Sequence, residues 1–228
     1  MSSVLLSTDK ICRRYGERWA LRPLSVSLNK GDAVAVLGAN GAGKSTLLKL
    51  LSGQIKPSAG TLTYADMRDD YRSHVGVLSH SHHLYAGLTA LENLKFYASL
   101  YGVDNPNERA LTLLERVEMS KYKDELVRNY SRGMLQRVSI ARTMLNEPAI
   151  IMMDEPHTGL DKAAMGILSG MSDELRGQGR TLLLITHDIS VAYNFADKLL
   201  VLSGGQCLYF DKKPATLAEC ERLYEDML

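Results

Sequence analysis

The sequence predicts an α/β fold whose sheet is mostly parallel. Two near-continuous apolar runs, Ala149–Met153 and Thr181–Thr186, have the composition of strands that are covered on both faces. Such runs alternate along the chain with segments that carry apolar residues at three- and four-residue spacing, the period of an amphipathic helix. The 228 residues are 45% hydrophobic and 23% charged. This composition excludes a disordered chain, and the length is sufficient for one substantial core.

The individual elements follow from the same periodicities. The further predicted strands are Leu24–Leu28, Ala33–Leu37, Thr61–Tyr64, Val75–Leu78 and the two halves of a hairpin over Leu199–Phe210. The predicted helices are Lys44–Leu51, Thr89–Leu100, Asn107–Met119, Arg132–Leu145 and Ala215–Leu228. A Ser-Gly-Gly turn in the hairpin provides residues that tolerate positive φ. The three middle helices form a block that we expect to be inserted into the α/β frame.

Charge, hydropathy and cysteine usage exclude several classes of protein. The chain has 27 lysines and arginines against 26 aspartates and glutamates, so we expect no nucleic-acid partner. No apolar run approaches the roughly 18–20 residues that cross a bilayer, and residues 1–10 lack the pattern of a secretory signal. Cys12, Cys207 and Cys220 have no metal-ligand spacing and are expected to be reduced thiols. These features predict a cytoplasmic protein whose membrane role, if it has one, is peripheral.

A glycine-rich loop between a predicted strand and a predicted helix matches the phosphate-binding pattern GxxxxGK[ST] at every fixed position. The loop consists of Gly38, Ala39, Asn40, Gly41, Ala42, Gly43, Lys44 and Ser45. Its amides can form a nest for phosphate oxygens, and the helix that begins near Lys44 adds its positive N-terminal dipole. Lys44 is predicted to reach the β- and γ-phosphates, Ser45 to bind Mg²⁺, and Thr46 to belong to the same nucleotide site.

Two carboxylates follow the apolar strand at 149–153. A buried strand that stops at Asp154 and Glu155 places both acids at its carboxyl end, where ligands bind in open α/β sheets. Asp154 is then placed to hold Mg²⁺, and Glu155 to orient or deprotonate the attacking water. The alternative is that both acids simply cap a solvated strand end. Their combination with a phosphate-binding loop favours the catalytic interpretation.

Four more segments complete a series of motifs that resembles the ATP-binding cassette (ABC) family of ATPases. Tyr15 stands where that family stacks an aromatic ring on adenine, although a surface tyrosine is the alternative. Residues 130–137, YSRGMLQR, stand where the family's LSGGQ signature opens a helix. Residues 158–161, TGLD, resemble the D-loop with Asp161, and His187 resembles the switch histidine that contacts the γ-phosphate. The resemblance covers almost the whole chain.

The resemblance implies a specific domain organisation. Residues 1–228 would form one ABC ATPase domain with a P-loop NTPase core of mostly parallel strands. Residues 1–86 and 146–228 would contain this core and an antiparallel β subdomain, and residues 87–145 would form the inserted α-helical subdomain. The implied catalytic residues are Glu155, His187 and Lys44.

Two motifs depart from the family pattern. The signature reads YSRGM and not LSGGQ: Ser131 and Gly133 are retained, Arg132 replaces the first glycine, and Met134 stands in place of the glutamine. Arg132 either adds positive charge near a partner's γ-phosphate or shields a solvated helix start. The Q-loop glutamine is absent, and alignment places His80 there. A neutral imidazole accepts one hydrogen bond and donates another, so His80 either replaces glutamine in function or is an ordinary loop histidine.

The resemblance also implies cofactors and partners. ATP and Mg²⁺ would bind between two copies of the chain, with the signature of one copy facing the ATP of the other, so a homodimer with two sites is expected. Polytopic membrane permease subunits would dock near residues 78–97 on the inner face of the cell membrane. The amino-acid sequences of residues 131–137 and 88–94 resemble those of the haem-exporter ATPase of cytochrome c maturation, and ABC-2 type exporters have a similar pattern. The alternatives are a soluble ABC-type ATPase, as in iron–sulfur assembly, and a degenerate ATP-binding partner.

Overall fold

A computed structural model describes residues 3–65, 71–79, 81–157 and 162–227. The strands in chain order are β1 (Val4–Tyr15), β2 (Arg18–Leu24), β3 (Ser27–Asn29), β4 (Ala33–Leu37), β5 (Ala59–Tyr64), β6 (Val75–Leu78), β7 (Ile150–Asp154), β8 (Thr181–Thr186), β9 (Lys198–Ser203) and β10 (Gln206–Lys212). The helices are α1 (Lys44–Leu51), α2 (Ala90–Leu100), α3 (Pro106–Arg116), α4 (Arg132–Thr143), α5 (Lys162–Gly177), α6 (Ile189–Phe195) and α7 (Leu217–Glu225). Single 3-10 turns cover Tyr71–His74, Ser120–Tyr122 and Val127–Asn129.

The central sheet has six strands in the order β10-β9-β4-β8-β7-β6. All neighbours are parallel except β9 and β10, which form the predicted hairpin. Gly204 and Gly205 both have positive φ, as a two-residue hairpin turn requires. Strands β4, β7 and β8 are buried almost throughout, which explains their continuous apolar sequence. The predicted α/β fold with a mostly parallel sheet is confirmed.

A second, antiparallel sheet is built around β1, which pairs with β2, β3 and β5. The sequence pattern does not predict β1. Its pairing with β5 is irregular between Asp9 and Cys12, and Lys10 has a φ of 47°. This irregularity interrupts the alternation of buried and exposed side chains that marks a regular strand.

The predicted strand Leu24–Leu28 is two strands in the structure. β2 ends at Leu24 and β3 begins at Ser27, because the two pair with different halves of β1. Thr8, in the middle of β1, holds the break: its hydroxyl donates to Leu24 O and accepts from Val26 N–H. A long-range contact thus divides a segment in which apolar and polar residues alternate without a break in the sequence.

The helices cover both faces of the central sheet. α1 packs with the antiparallel sheet on one face, in a cluster that includes Leu47, Leu50 and Leu51. Helices α2 to α5 form a second cluster over β6, β7 and β8, and α6 with α7 covers β4 and β9. Helices α2, α3 and α4 fall within the predicted helical block at 87–145.

Helices α5 and α6 have no counterpart among the predicted elements. α5 contains Gly166 and Gly170 in its interior, which lowers its helix propensity by about 1 kcal/mol each relative to alanine. α6 has only seven residues, too few to establish a helical period. Within the described residues, no helix is long and apolar enough to span a membrane.

The register of the parallel strands brings three chain segments to one edge. Leu37 at the end of β4 pairs with Thr186 at the end of β8, and Asp154 at the end of β7 pairs with Ile185. The segments that leave these strands begin at Gly38, Glu155 and His187. The carboxyl edge of the sheet therefore holds the three main groups of predicted site residues side by side.

Candidate functional site

The backbone of the 38–45 loop requires glycine at two positions where it passes close to other chain segments. Gly43 has a φ of 104°, and a Cβ built there would lie 2.6 Å from Ala20 O. A Cβ on Gly38 would lie 2.4 Å from Leu202 O. Because Gly205 N–H also donates to Ala42 O, the loop is held between β2 and the β9–β10 hairpin. Its shape is thus determined by packing as well as by its own sequence.

Replacement of Gly43 by alanine is expected to distort this loop. The substitution combines a strained positive φ with a clash against Ala20 O, so we expect unfolding free energy to fall by more than about 1 kcal/mol. Gly170→Ala is the matched control, since a Cβ at Gly170 meets no atom within 4 Å and the position is helical. Thermal unfolding and ADP titration of both variants measure the effect. A Gly43→Ala protein with unchanged Tm and ADP affinity would contradict the loop geometry.

Lys44 is buried at the start of α1 and folds back onto the loop. Its Nζ donates to Gly38 O at 2.6 Å and to Ala39 O at 3.1 Å. Burial lowers the pKa of Lys44, while the negative charges of Glu155 and Asp154 oppose this shift. The ammonium group therefore lies within the field of both acids, at the centre of the loop that would receive phosphate.

Ser45 and Asp154 are in direct contact across 109 residues of sequence. The Ser45 hydroxyl donates to Asp154 Oδ2 at 3.0 Å. A hydroxyl and a carboxylate oxygen are donors that suit Mg²⁺, which keeps several waters and takes few protein ligands. The residues present therefore fit a magnesium ion bound together with nucleotide phosphates. Among the residues that the structure describes, no group of three or more His, Cys, Asp or Glu side chains could hold a metal ion by itself.

Glu155 has an unusual backbone conformation, of a kind that is often found at functional sites. Its φ is 48°, which is uncommon for a residue with a side chain, and its N–H donates to Ile185 O at 3.0 Å. The Glu155 side chain is only 11% exposed, and its Oε1 lies 2.7 Å from His187 Nδ1. His187 is 63% exposed. The strand end thus presents one largely buried carboxylate in contact with an accessible imidazole.

A second histidine, His157, also contacts this carboxylate. His157 Nε2 lies 3.4 Å from Glu155 Oε2 and 3.4 Å from Thr186 Oγ1. The sequence patterns did not single out His157. Its position two residues after the strand-end glutamate is the signal that could have identified it, since a residue that close to Glu155 stays at the same edge.

A cleft of about 430 Å³ opens beside the loop. The residues that line it are Tyr15, Arg18, Trp19, Ala20, Asn40, Gly41, Gly43, Lys44, Ser45 and Thr46. Tyr15 is therefore close to the phosphate-binding loop, with the Arg13 guanidinium 4.6 Å from its ring centre. Arg18 and Trp19 are additions to the predicted set: they follow Tyr15 across the β1–β2 turn, and β2 carries them back beside it.

The predicted signature lies at the start of α4 and does not contribute to this cleft. Ser131 is the N-cap residue of α4, and its hydroxyl accepts from Met134 N–H at 3.3 Å. Ser131 and Arg132 are exposed, whereas Gly133 is buried. None of the residues described as lining the 430 Å³ cleft belongs to the signature. His80 and residues 158–161, including Asp161, lie outside the described residues.

This arrangement has the components of a nucleoside-triphosphate hydrolase. A glycine loop with a buried lysine can bind phosphates, a hydroxyl–carboxylate pair fits Mg²⁺, and a largely buried glutamate is available as a base. All of them lie at the carboxyl edge of one parallel sheet. The fold and this site define the class of P-loop ATPases.

Comparison with known proteins specifies the family. Residues 21–158 match the family model described as ABC transporter. The chain is 35% identical to the Nod factor export ATP-binding protein I of Ralstonia nicotianae over 212 residues, covering 90% of this chain and 66% of that protein. It is 32% identical over 198 residues to the ABC transporter ATP-binding protein NatA of Bacillus subtilis, covering 83% and 80%. The chain therefore belongs to the ATP-binding cassette transporter family.

Solved structures agree with this assignment. An ATP-binding cassette of an ABC transporter, MJ1267 in its ADP conformation, has a TM-score of 0.81 and 26% identity, covering 99% of this chain and 96% of that one. MJ0796, a dimer in a post-hydrolysis state with ADP and Pi, has a TM-score of 0.80 and 27% identity, covering 91% and 98%. The protein is an ABC-type ATPase, and MJ0796, a cassette with this fold, has been solved as a dimer.

Proposed function

We propose that this chain is the ATP-hydrolysing subunit of an exporter, and that it works as a homodimer on the inner face of the cell membrane. The observation that carries the proposal is the separation of two half-sites. Lys44, Ser45, Asp154, Glu155 and His187 converge at one sheet edge, while Ser131 caps a helix outside that cleft. A second copy that supplies its own Ser131 and Gly133 to the γ-phosphate would complete the site.

The proposed chemistry is in-line attack of water on the γ-phosphorus of ATP. Lys44 would turn from the loop carbonyls to the β- and γ-phosphate oxygens, and the loop amides would hold the remaining oxygens. Glu155 would take a proton from the attacking water while the water oxygen forms a bond to the γ-phosphorus. The bond between the γ-phosphorus and the β–γ bridging oxygen breaks at the same time, which releases ADP. His187, exposed and in contact with Glu155, would donate to the γ-phosphate. Mg²⁺, held by Ser45 and Asp154, would neutralise charge on the phosphates.

The proposed docking site for a membrane subunit is a group of aromatic rings, which we call the aromatic patch: exposed Tyr85, Phe96 and Tyr101 and half-buried Tyr97. The rings contact one another at centroid distances of 5.2 Å for Tyr85–Phe96 and 5.4 Å for Phe96–Tyr97. Buried Asn93 fixes the loop beneath it, since its amide bonds both the N–H and the carbonyl of Tyr85. Exposed rings on a rigid base suit a short apolar helix from a permease.

Helix α4 links this patch to the nucleotide site. The Arg142 guanidinium donates to Val77 O at 3.1 Å and lies 5.3 Å from the centre of the Tyr97 ring. At its other end, α4 begins with the proposed signature, and Gln136 Nε2 donates to Pro156 O beside Glu155. A displacement of the patch would therefore be transmitted through α4 to both half-sites.

The names of the relatives support a proposal about the substrate that the transporter exports. Besides the Nod factor protein, a fluoroquinolones export ATP-binding protein of Mycobacterium tuberculosis is 33% identical over 197 residues, covering 84% of this chain and 65% of that protein. Haem export has no support among these relatives. The proposal is therefore an exporter of the group to which these proteins belong, with a small organic cargo recognised by the membrane subunit.

Replacing Phe96 by glutamate is expected to detach the protein from membranes. Phe96 is 44% exposed, so the substitution should leave the fold and basal ATPase activity unchanged while placing a charge among the rings. Leu208→Glu, at a similarly exposed leucine on β10, is the matched control. The measurement is the fraction of the chain that sediments with cell membranes and the polytopic subunit that co-purifies with it.

Equal membrane association of the two variants would contradict the aromatic patch as the docking site. A wild-type chain that never sediments and co-purifies with no polytopic subunit would instead favour the soluble ABC-type ATPase.

A further inference from the structure

The two oxygens of the Glu155 carboxylate have different surroundings. Oε1 lies 2.7 Å from Nδ1 of His187, a side chain that is 63% exposed. Oε2 is buried and, within the described part of the chain, has no partner in hydrogen-bond geometry. A buried carboxylate oxygen without a donor costs free energy, so a nearby group that could donate to it has a functional meaning.

His157 is the group that approaches Oε2. Its Nε2 lies 3.4 Å from Oε2, slightly beyond a normal hydrogen bond, and its side chain is only 17% exposed. The same Nε2 is in hydrogen-bond contact with Thr186 Oγ1 at 3.4 Å, and this hydroxyl oxygen also accepts from Asp188 N–H at 3.0 Å. A small rotation of the His157 ring that turns Nε2–H from Thr186 towards Oε2 would form the bond, and catalytic hydrogen bonds are often long or poorly aligned before substrate binds.

We infer that His157 is a positioning residue for ATP hydrolysis, whose Nε2–H donates to Glu155 Oε2 and orients the carboxylate so that Oε1 faces the attacking water. This inference rests on the proposed role of Glu155 as the base. Exposed His187 is free to leave Oε1 when nucleotide binds, whereas largely buried His157 stays beside Oε2. His187 thus releases Oε1, the reactive oxygen, while His157 keeps the carboxylate of Glu155 in its orientation.

The surrounding packing keeps His157 in this position. Pro156 precedes it and restricts the backbone, and Pro156 O accepts from Gln136 Nε2 on α4. The His157 ring also borders an apolar cleft with Met153, Leu184 and Val191. A leucine in its place would fill this space without donating a hydrogen bond. The donor can therefore be removed separately from the packing.

The test compares His157→Leu with His157→Gln, because the glutamine amide can place a donor near the position of Nε2. We expect kcat for ATP hydrolysis to fall about tenfold in His157→Leu, with KM for ATP and Tm close to wild type. The loss in His157→Gln should be no more than about threefold.

Wild-type kcat in His157→Leu would overturn the inference, and so would an equal loss in both variants, because the donor would then not matter. Glu155→Gln separates this result from the proposed function. If Glu155→Gln loses turnover while His157→Leu does not, only the role of His157 fails. If Glu155→Gln itself retains turnover, the role of Glu155 as the base fails, and the inference about His157 fails with it.

Discussion

Replacing Glu155 by glutamine is expected to lower kcat for ATP hydrolysis by about 10²–10⁴-fold while ATP still binds. The amide keeps the shape of the side chain but cannot take a proton from water. Since hydrolysis is what releases the dimer in the proposed cycle, ATP and Mg²⁺ should hold two copies of the variant together. Light scattering should then show a dimer with ATP and a monomer without it.

The control for this variant is Glu115→Gln, at an exposed glutamate on α3 far along the chain from the site. It should hydrolyse ATP at the wild-type rate and show no ATP-stabilised dimer. A Glu155→Gln protein that stays monomeric with ATP would count against the two-copy site. Near-normal turnover in that variant would show that another group accepts the proton.

Replacing Lys44 by alanine should weaken nucleotide binding itself, by at least about 100-fold. Charge-assisted hydrogen bonds contribute about 1.5–3 kcal/mol each, and Lys44 is expected to make them to two phosphates. The variant also loses the bonds that Nζ donates to Gly38 O and Ala39 O. Calorimetric titration with ADP and with ATP, alongside thermal unfolding, separates the loss of affinity from a loss of stability.

Lys49→Ala is the matched control for Lys44→Ala, because Lys49 lies on the same helix and is exposed. It removes the same charge at a distance from the loop and should bind nucleotide normally. Equal affinities of the two variants would mean that the 38–45 loop is not where phosphate binds.

Elements with strong local signals were predicted with their bounds. Lys44–Leu51, Val75–Leu78 and Thr181–Thr186 have the same limits in the sequence prediction and in the structure. Each has a local signal, helical spacing of leucines after a glycine loop in the first and a short apolar β-branched or leucine-rich run in the other two, so its conformation follows from nearby residues. β1 and the break between β2 and β3 could not be predicted in this way, because their form depends on pairing partners elsewhere in the chain.

The same distinction between local signals and long-range contacts applies to the residues of the candidate site. The loop motif and the acidic end of a buried strand predicted that Ser45 and Asp154 both bind Mg²⁺, and the structure brings the two side chains within 3.0 Å of each other. His187 was identified only through the resemblance to the ABC family. His157, Arg18 and Trp19 were not predicted. Each lies in the site because of a turn or a strand pairing, and none belongs to a motif whose spacing identifies it.

The sequence by itself determined the chemistry of this protein: a phosphate-binding loop, a hydroxyl and a carboxylate suited to Mg²⁺, and a glutamate after a buried strand. Their function depends on residue type and short spacing, which are local properties of the chain. Only the tertiary structure shows that His187 approaches one oxygen of the Glu155 carboxylate and His157 the other. It also shows that α4 contacts the aromatic patch through Arg142. These contacts depend on side-chain orientation and packing between distant segments, and distances of a few ångströms there follow from the assembled core and not from any one segment.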